Sequence, residues 1–198
     1  IDPDELKIIS RWKLADRLFA TLEAKEEKAL RGTDGKKRRH VNLDKGRDAN
    51  FAGTPQSPQC ILVITEGNSG AGYANAMVKL IPNGTDFIGV LPMRGKALNV
   101  RDCPRTQLEL NVEFNELKKA LGLREGTIYD AETARKDLRY GQVLIAADSD
   151  VDGKHIIGLI ANYFDVRFRS LLLGGFVRYL RTPILRARKG KECHCFLT

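Results

Sequence analysis

The sequence predicts an α/β fold: a parallel sheet with helices on both faces, preceded by a helical N-terminal arm and a basic loop. Three observations carry this. Short, β-rich apolar runs alternate with segments of helical periodicity along most of the chain. The runs are apolar throughout rather than at every second residue, as in strands covered on both faces. Two of them end abruptly in acids, and the carboxyl ends of strands are where open parallel sheets bind ligands.

Residues 4–30, "DELKIISRWKLADRLFATLEAKEEKAL", carry apolar side chains at helical spacing without Gly or Pro, which predicts one or two helices. The stretch 31–59 is rich in Gly, Asp, Asn, Pro and Lys/Arg and reads as a long surface loop. Its block "KKRRH" (36–40) suits a solvated loop or a phosphate-contacting arm. "CILVITEG" from Cys60 is a buried strand, "SGAGYANAMVKLI" a helix capped by Asn68 or Ser69, and "DFIGVLPM" a second strand. A helix over 106–123 ends at glycine, and "QVLIAAD" (142–148) is a third strand. A long helix over 152–175 stops at two glycines, and "FVRYLRTPIL" is the last strand. This divides the chain into an arm and basic loop (1–59), an α/β domain (60–190) and the start of a further region (191–198).

Of the 198 residues 42% are apolar, enough for a real core, and the formal net charge of +8 points to a polyanionic partner. From Asp165 onward there are eight Lys/Arg against two acids. No run of about 18 apolar residues exists, so no membrane span is predicted. Cys60, Cys103, Cys193 and Cys195 lack framework spacing and read as reduced thiols of an intracellular protein. "CHC" at 193–195 is too tight to close a zinc tetrahedron and has no evident fourth ligand. A chain that starts without Met and stops on "CHCFLT" reads as a piece of something longer.

The acids are the chemically informative residues. "ILVITEG" delivers Glu66 at a strand end, and "VLIAADSDVDG" delivers Asp148, Asp150 and Asp152. If those strands are neighbours, four carboxylates meet at one edge and raise one another's pKa values. A hard divalent cation resolves the repulsion: Mg²⁺ above all, with Mn²⁺ or Ca²⁺ as substitutes. In a basic protein such a site suits phosphodiester chemistry. An EF-hand is excluded because the twelfth position is Leu159 and the run follows a strand. Helix capping needs one aspartate, not three and a distant glutamate. "EGNSGAG" lacks dinucleotide-fingerprint spacing, and "RGKA" (94–97) lacks the earlier Gly and the Ser/Thr of a P-loop, so no ATP site is predicted in this chain. "LPMRGKALNVRD" places Arg94, Lys96 and Arg101 in a loop on the same rim, suited to DNA phosphates. Lys154 and His155, at the start of the helix after the acids, are further phosphate-contact candidates.

"TEGNSGAG", "PMRGKALNV" and "DSDVDGKHI", in this order, resemble the Toprim module of type IIA DNA topoisomerases. "KALRGTDGKK", "RDANFAGT" and "LRYGQVLIAAD" extend the resemblance toward the eukaryotic-type enzymes, cellular or viral. The resemblance implies an ATP-dependent homodimer that cleaves, passes and reseals double-stranded DNA through a tyrosyl-phosphodiester intermediate. It also implies a nuclear location, or a viral replication compartment. Within it, Glu66 is the general acid/base and a metal ligand, Asp148 and Asp150 are catalytic metal ligands supported by Asp152, and Arg94 and Lys96 contact DNA. The nucleophilic tyrosine and the ATPase belong outside this chain, so the chain alone is expected to cleave nothing. Three departures stand out: Asn68 replaces the family's Asp, Gly70 intervenes before Ala71, and Met93 replaces Leu. Other Toprim enzymes (a primase, a type IA topoisomerase or a nuclease) and a non-catalytic DNA-binding module are the alternatives. The "PMRGKALNV" loop argues against those enzymes.

Overall fold

The structure is a computed structural model and describes residues 13–95 and 97–197. Four strands, β1 (Ile61–Glu66), β2 (Ile88–Met93), β3 (Gln142–Ala146) and β4 (Val177–Tyr179), form one sheet in the order β2-β1-β3-β4. Every pairing is parallel, so each connection is a helical crossover. The arm is α1 (Lys13–Gly32); the part of the predicted arm before Lys13 lies outside the described residues. Helix α2 (Gly67–Leu80) and the single turn α3 (Gly84–Phe87) join β1 to β2. Helices α4 (Arg105–Glu109), α5 (Val112–Leu121) and α6 (Ala131–Asp137) lie between β2 and β3. Helices α7 (Val151–Arg167) and α8 (Arg169–Leu173) lead to β4.

The uniform apolarity of the strands is explained by cover on both faces. Leu62, Ile64, Leu91, Val143 and Ile145 pack with Phe114 and Leu117 of α5 and with Ile160, Tyr163 and Phe164 of α7. The rings of Phe114 and Tyr163 stack at 4.1 Å between centroids. On the other face Val90 and Ile88 meet Ala71, Ala74 and Val78 of α2.

Several expectations need correction. The predicted helix over 106–123 is two helices, because Asn111 turns its side chain back to accept the Phe114 amide at 2.9 Å and so starts α5 afresh. Helix α6 was not foreseen; Asp130 caps it by accepting the Thr133 amide at 2.7 Å. The long helix breaks at Phe168, and only Val177–Tyr179 of the last predicted strand joins the sheet. Beyond it, β5 (Leu185–Lys189) and β6 (Glu192–Phe196) form a separate antiparallel hairpin. In β6, strand alternation turns His194 away from Cys193 and Cys195, so the three cannot converge on an ion.

The stretch 31–59 is not merely a surface loop. Arg47 pairs its backbone with Val90, donating and accepting at 2.8 Å, and lays its guanidinium on the Ile88 carbonyl. Ala49 and Ala52 are buried behind it. Buried Arg139 donates to the carbonyls of Arg38 (2.7 Å) and Ala120 (2.6 Å) and pairs with Asp48, which also receives the Tyr140 hydroxyl. Among the described residues no helix is long and apolar enough to cross a membrane.

Candidate metal centre

Strands β1 and β3 are neighbours, and the register sets Thr65 beside Ala146. Glu66 is the next residue on β1, and Asp148 follows β3 by two residues, so both emerge at the carboxyl edge of the sheet. Asp150 is the N-cap of α7, its Oδ1 accepting the Gly153 amide at 2.7 Å, and Asp152 lies in the first turn. One of the three aspartates therefore does serve as a cap. Gly153 is required here: a Cβ at that position would run into the carbonyl of Asp148.

The Glu66 carboxyl is pushed above its ordinary value, first by burial and then by the charges of Asp150, Asp148 and Asp152. Its Oε2 is buried without a hydrogen-bond partner. Asp148 and Asp150 are exposed at the rim. Among the described residues no three acidic, thiol or imidazole side chains are gathered tightly enough to hold an ion as they stand. The donor set is all oxygen and one Glu66 oxygen is buried without a hydrogen-bond partner, which fits a hard divalent cation.

The basic candidates divide. Arg94 is exposed just past β2, its amide donating to Glu113 of α5 at 3.2 Å. Lys154 and His155 are exposed on the first turn of α7 beside the acids. Lys154 and Asp148 line one cavity of about 710 Å³ with Tyr179 and Arg181. Lys96 lies outside the described residues. Arg101 is not on the rim: its guanidinium pairs with Asp165, near the far end of α7, at 3.3 Å. The loop after Arg94 descends along α7, where Asn99 also accepts from Asn162 at 2.7 Å.

The Toprim domain profile matches residues 61–183, which span all four strands and the acids. The chain belongs to the Toprim family. It is 41% identical over 187 residues to the "DNA topoisomerase 2" of Acanthamoeba polyphaga mimivirus, covering 94% of this chain and 14% of that protein. It is 41% identical over 180 residues to the "DNA topoisomerase 2" of Saccharomyces cerevisiae, covering 90% of this chain and 12% of that protein. Among solved structures it resembles the Plasmodium falciparum topoisomerase II DNA-binding, cleavage and re-ligation domain, with a TM-score of 0.73 and 36% identity over 81% of this chain and 22% of that one. The chain thus spans about one eighth of the length of these curated relatives.

The Toprim acids are held by residues that motif reading passed over. Ser149 donates to the Thr182 carbonyl at 2.7 Å, which ties the acidic loop to the segment after β4. Its only sequence signal was a small hydroxyl between two aspartates. Helix α2 begins at Gly67 behind Glu66, with no side-chain cap, so neither Asn68 nor Ser69 plays the predicted role. At the extra Gly70 a Cβ would lie 3.2 Å from the Thr65 side chain, a tight contact.

Proposed function

We propose that this chain is the metal-holding Toprim part of an ATP-dependent type IIA DNA topoisomerase that cleaves, passes and religates double-stranded DNA. The observation that carries the reading is the pairing of β1 with β3, which ends Glu66 at the same sheet edge as the loop and helix start that carry Asp148, Asp150 and Asp152. Glu66, Asp148 and Asp150 would hold Mg²⁺, with Mn²⁺ or Ca²⁺ as substitutes, and Asp152 supports them. A bound ion supplies charge stabilisation to the phosphoryl and leaving oxygens. Glu66, whose carboxyl is pushed above its ordinary value by burial and by the neighbouring aspartates, acts as general acid to the leaving oxygen and as base on resealing. Arg94, Lys96, Lys154 and His155 position the DNA backbone.

The attacking tyrosine comes from elsewhere in the protein. Tyr129, Tyr140 and Tyr163 are buried in the core, and Tyr73 and Tyr179, though exposed, match no family nucleophile. ATP is bound outside this chain, the whole enzyme is a homodimer, and it works in the nucleus or a viral replication compartment. The arm α1 forms the lead-in, the segment 33–59 packs with the Toprim domain through Tyr140, and the hairpin Leu185–Phe196 stands apart from the sheet. The chain alone cleaves nothing.

In the enzyme carrying this chain, Glu66→Gln or Asp148→Asn is expected to cut Mg²⁺-dependent DNA cleavage by about 10²-fold or more, the range of a lost general acid. Duplex binding should stay within a few-fold. Undiminished cleavage rejects the reading. It would favour a non-catalytic DNA-binding module, the role suggested by acids that cap a helix and are not drawn into a tight cluster.

A further inference from the structure

The cysteines fall into two pairs. Cys60 is buried and Cys103 half-buried, the usual surroundings of a thiol. Cys193 and Cys195 are exposed, on the hairpin that stands apart from the sheet. They take alternate positions of β6, so both side chains leave one face and His194 leaves the other. The ladder sets Arg188 opposite Cys193 and Arg186 opposite Cys195, which brings two guanidiniums to the thiol face. Both arginines are exposed, and neither pairs with a carboxylate among the described residues. Leu185, Ala187 and Phe196 share the opposite face with His194. Within these strands one face therefore carries two thiols and two cations and nothing else.

Strand spacing decides what the two thiols can do. Two residues of rise set their Cβ atoms about 6.8 Å apart on the shared face. A disulfide needs Cβ atoms about 3.5–4.5 Å apart, so the sulfurs cannot join each other while β6 stays paired. A single atom held between them fits. A linear sulfur–metal–sulfur unit spans about 4.6 Å at about 2.3 Å per bond, which asks each sulfur to swing inward by about 1 Å. Zinc is the wrong ion, because it takes four ligands and among the described residues no third acidic, thiol or imidazole side chain joins the pair. Thiolates select the soft monovalent ion Cu(I), for which two ligands suffice. We propose that Cys193 and Cys195 form a two-coordinate Cu(I) site, with Arg186 and Arg188 as its counter-charges. Binding releases both thiol protons and transfers no electron. Two thiolates around one monovalent cation leave one net negative charge, which the guanidiniums across the ladder offset. The site is independent of Glu66 and the aspartates.

The test is an anaerobic competition for Cu(I) between the enzyme carrying this chain and the chromophoric chelator bicinchoninate. Cys193→Ser and Cys195→Ser should each hold one equivalent of Cu(I) fewer than the parent, with affinity at this site lowered by more than about 100-fold, beyond the range for groups outside a ligand set. The double variant should lose no more than either single one, since one ion needs both sulfurs. Arg186→Gln with Arg188→Gln should keep the equivalent and weaken it by about 10-fold. All four positions are exposed, so the fold is preserved and thermal melting checks it. Single cysteine variants that hold as much Cu(I) as the parent overturn the proposal. So does a double variant that loses twice what each single one loses, the mark of two separate thiols. Zn²⁺ that displaces Cu(I) at equal concentration overturns the choice of ion. A copper-dependent rise in particle mass by light scattering overturns the chelate, in favour of a sulfur bridge between chains. A Cys193–Cys195 disulfide found by peptide mass after mild oxidation removes the spacing on which the site rests. DNA cleavage by Glu66→Gln is a separate assay, and its outcome leaves this site untouched.

Discussion

Lys118 and Arg139 are almost wholly buried, and each is surrounded by acceptors; at the rim, by contrast, Glu66 looks onto three aspartates. The Lys118 ammonium lies 2.9 Å from the Leu30 carbonyl, 3.1 Å from Asp34 and 3.0 Å from Glu125. Glu125 in turn pairs with Arg167 at 2.6 Å, which reaches Glu27 of α1 at 3.3 Å. These interior charges tie the arm, α5 and α7 together, and their desolvation is offset by charged partners and carbonyls. Glu66 at the rim has like charge for neighbours instead. Charge neutralised within the chain is architecture. On the proposed reading, the like charge gathered around Glu66 is where a divalent ion would bind.

The comparison breaks first at Arg139. Replacing it by Met should destabilise the chain by about 3–5 kcal/mol, since Asp48 and two carbonyls lose their partner. Urea unfolding measures this, and a loss below about 1 kcal/mol would mean that the interior network is not structural.

Gly153→Ala should have the next largest effect, about 1–3 kcal/mol, the range for forcing an atom into occupied space. Because the collision is with the backbone of Asp148, divalent-ion binding measured by calorimetry should weaken together with stability. Weakened stability with intact ion binding would uncouple the glycine from the acids.

Glu66→Gln gives the smallest effect on stability, and of opposite sign. A carboxyl whose folded pKa is raised gives stability at low pH that is lost as pH rises through the raised value. At neutral pH without divalent ions the variant should therefore melt slightly higher than the parent, by no more than about 2 °C. The difference should vanish below the ordinary carboxyl value of 4.5. Added Mg²⁺ should raise the melting temperature of the parent, by the linkage expected for a ligand of the folded state, and leave the variant nearly unmoved. A variant that melts lower at neutral pH shows that Glu66 is stabilising and that the rim resembles the interior.

The strands, and the position of the acids just past their ends, were legible in the sequence because both signals are local. "ILVITE" and "QVLIA" declare buried strands, and their following acids declare the edge. The split at Asn111 was hidden because Leu110, Val112 and Phe114 keep an apolar pattern across the break. Helix α6, "AETARKD", buries no residue and so left no periodic trace. The packing of 31–59 depends on Asp48 meeting Arg139 and Tyr140, about ninety residues away, and no local pattern encodes such a meeting. The course of Arg101 toward Asp165 was equally non-local.

The seam at Arg47 has a consequence for how copies of the chain can meet. In β2 the residues facing outward from the sheet are Ile88, Val90 and Pro92, alternate along the strand. The carbonyl of Ile88 and both backbone groups of Val90 are taken by Arg47, and Pro92 has no amide hydrogen to offer. A neighbouring chain therefore finds no template along this border for adding a strand, so edge-to-edge growth into larger aggregates is blocked there. Self-association on this side has to rely on side-chain complementarity, a contact that mutation can tune without disturbing the sheet.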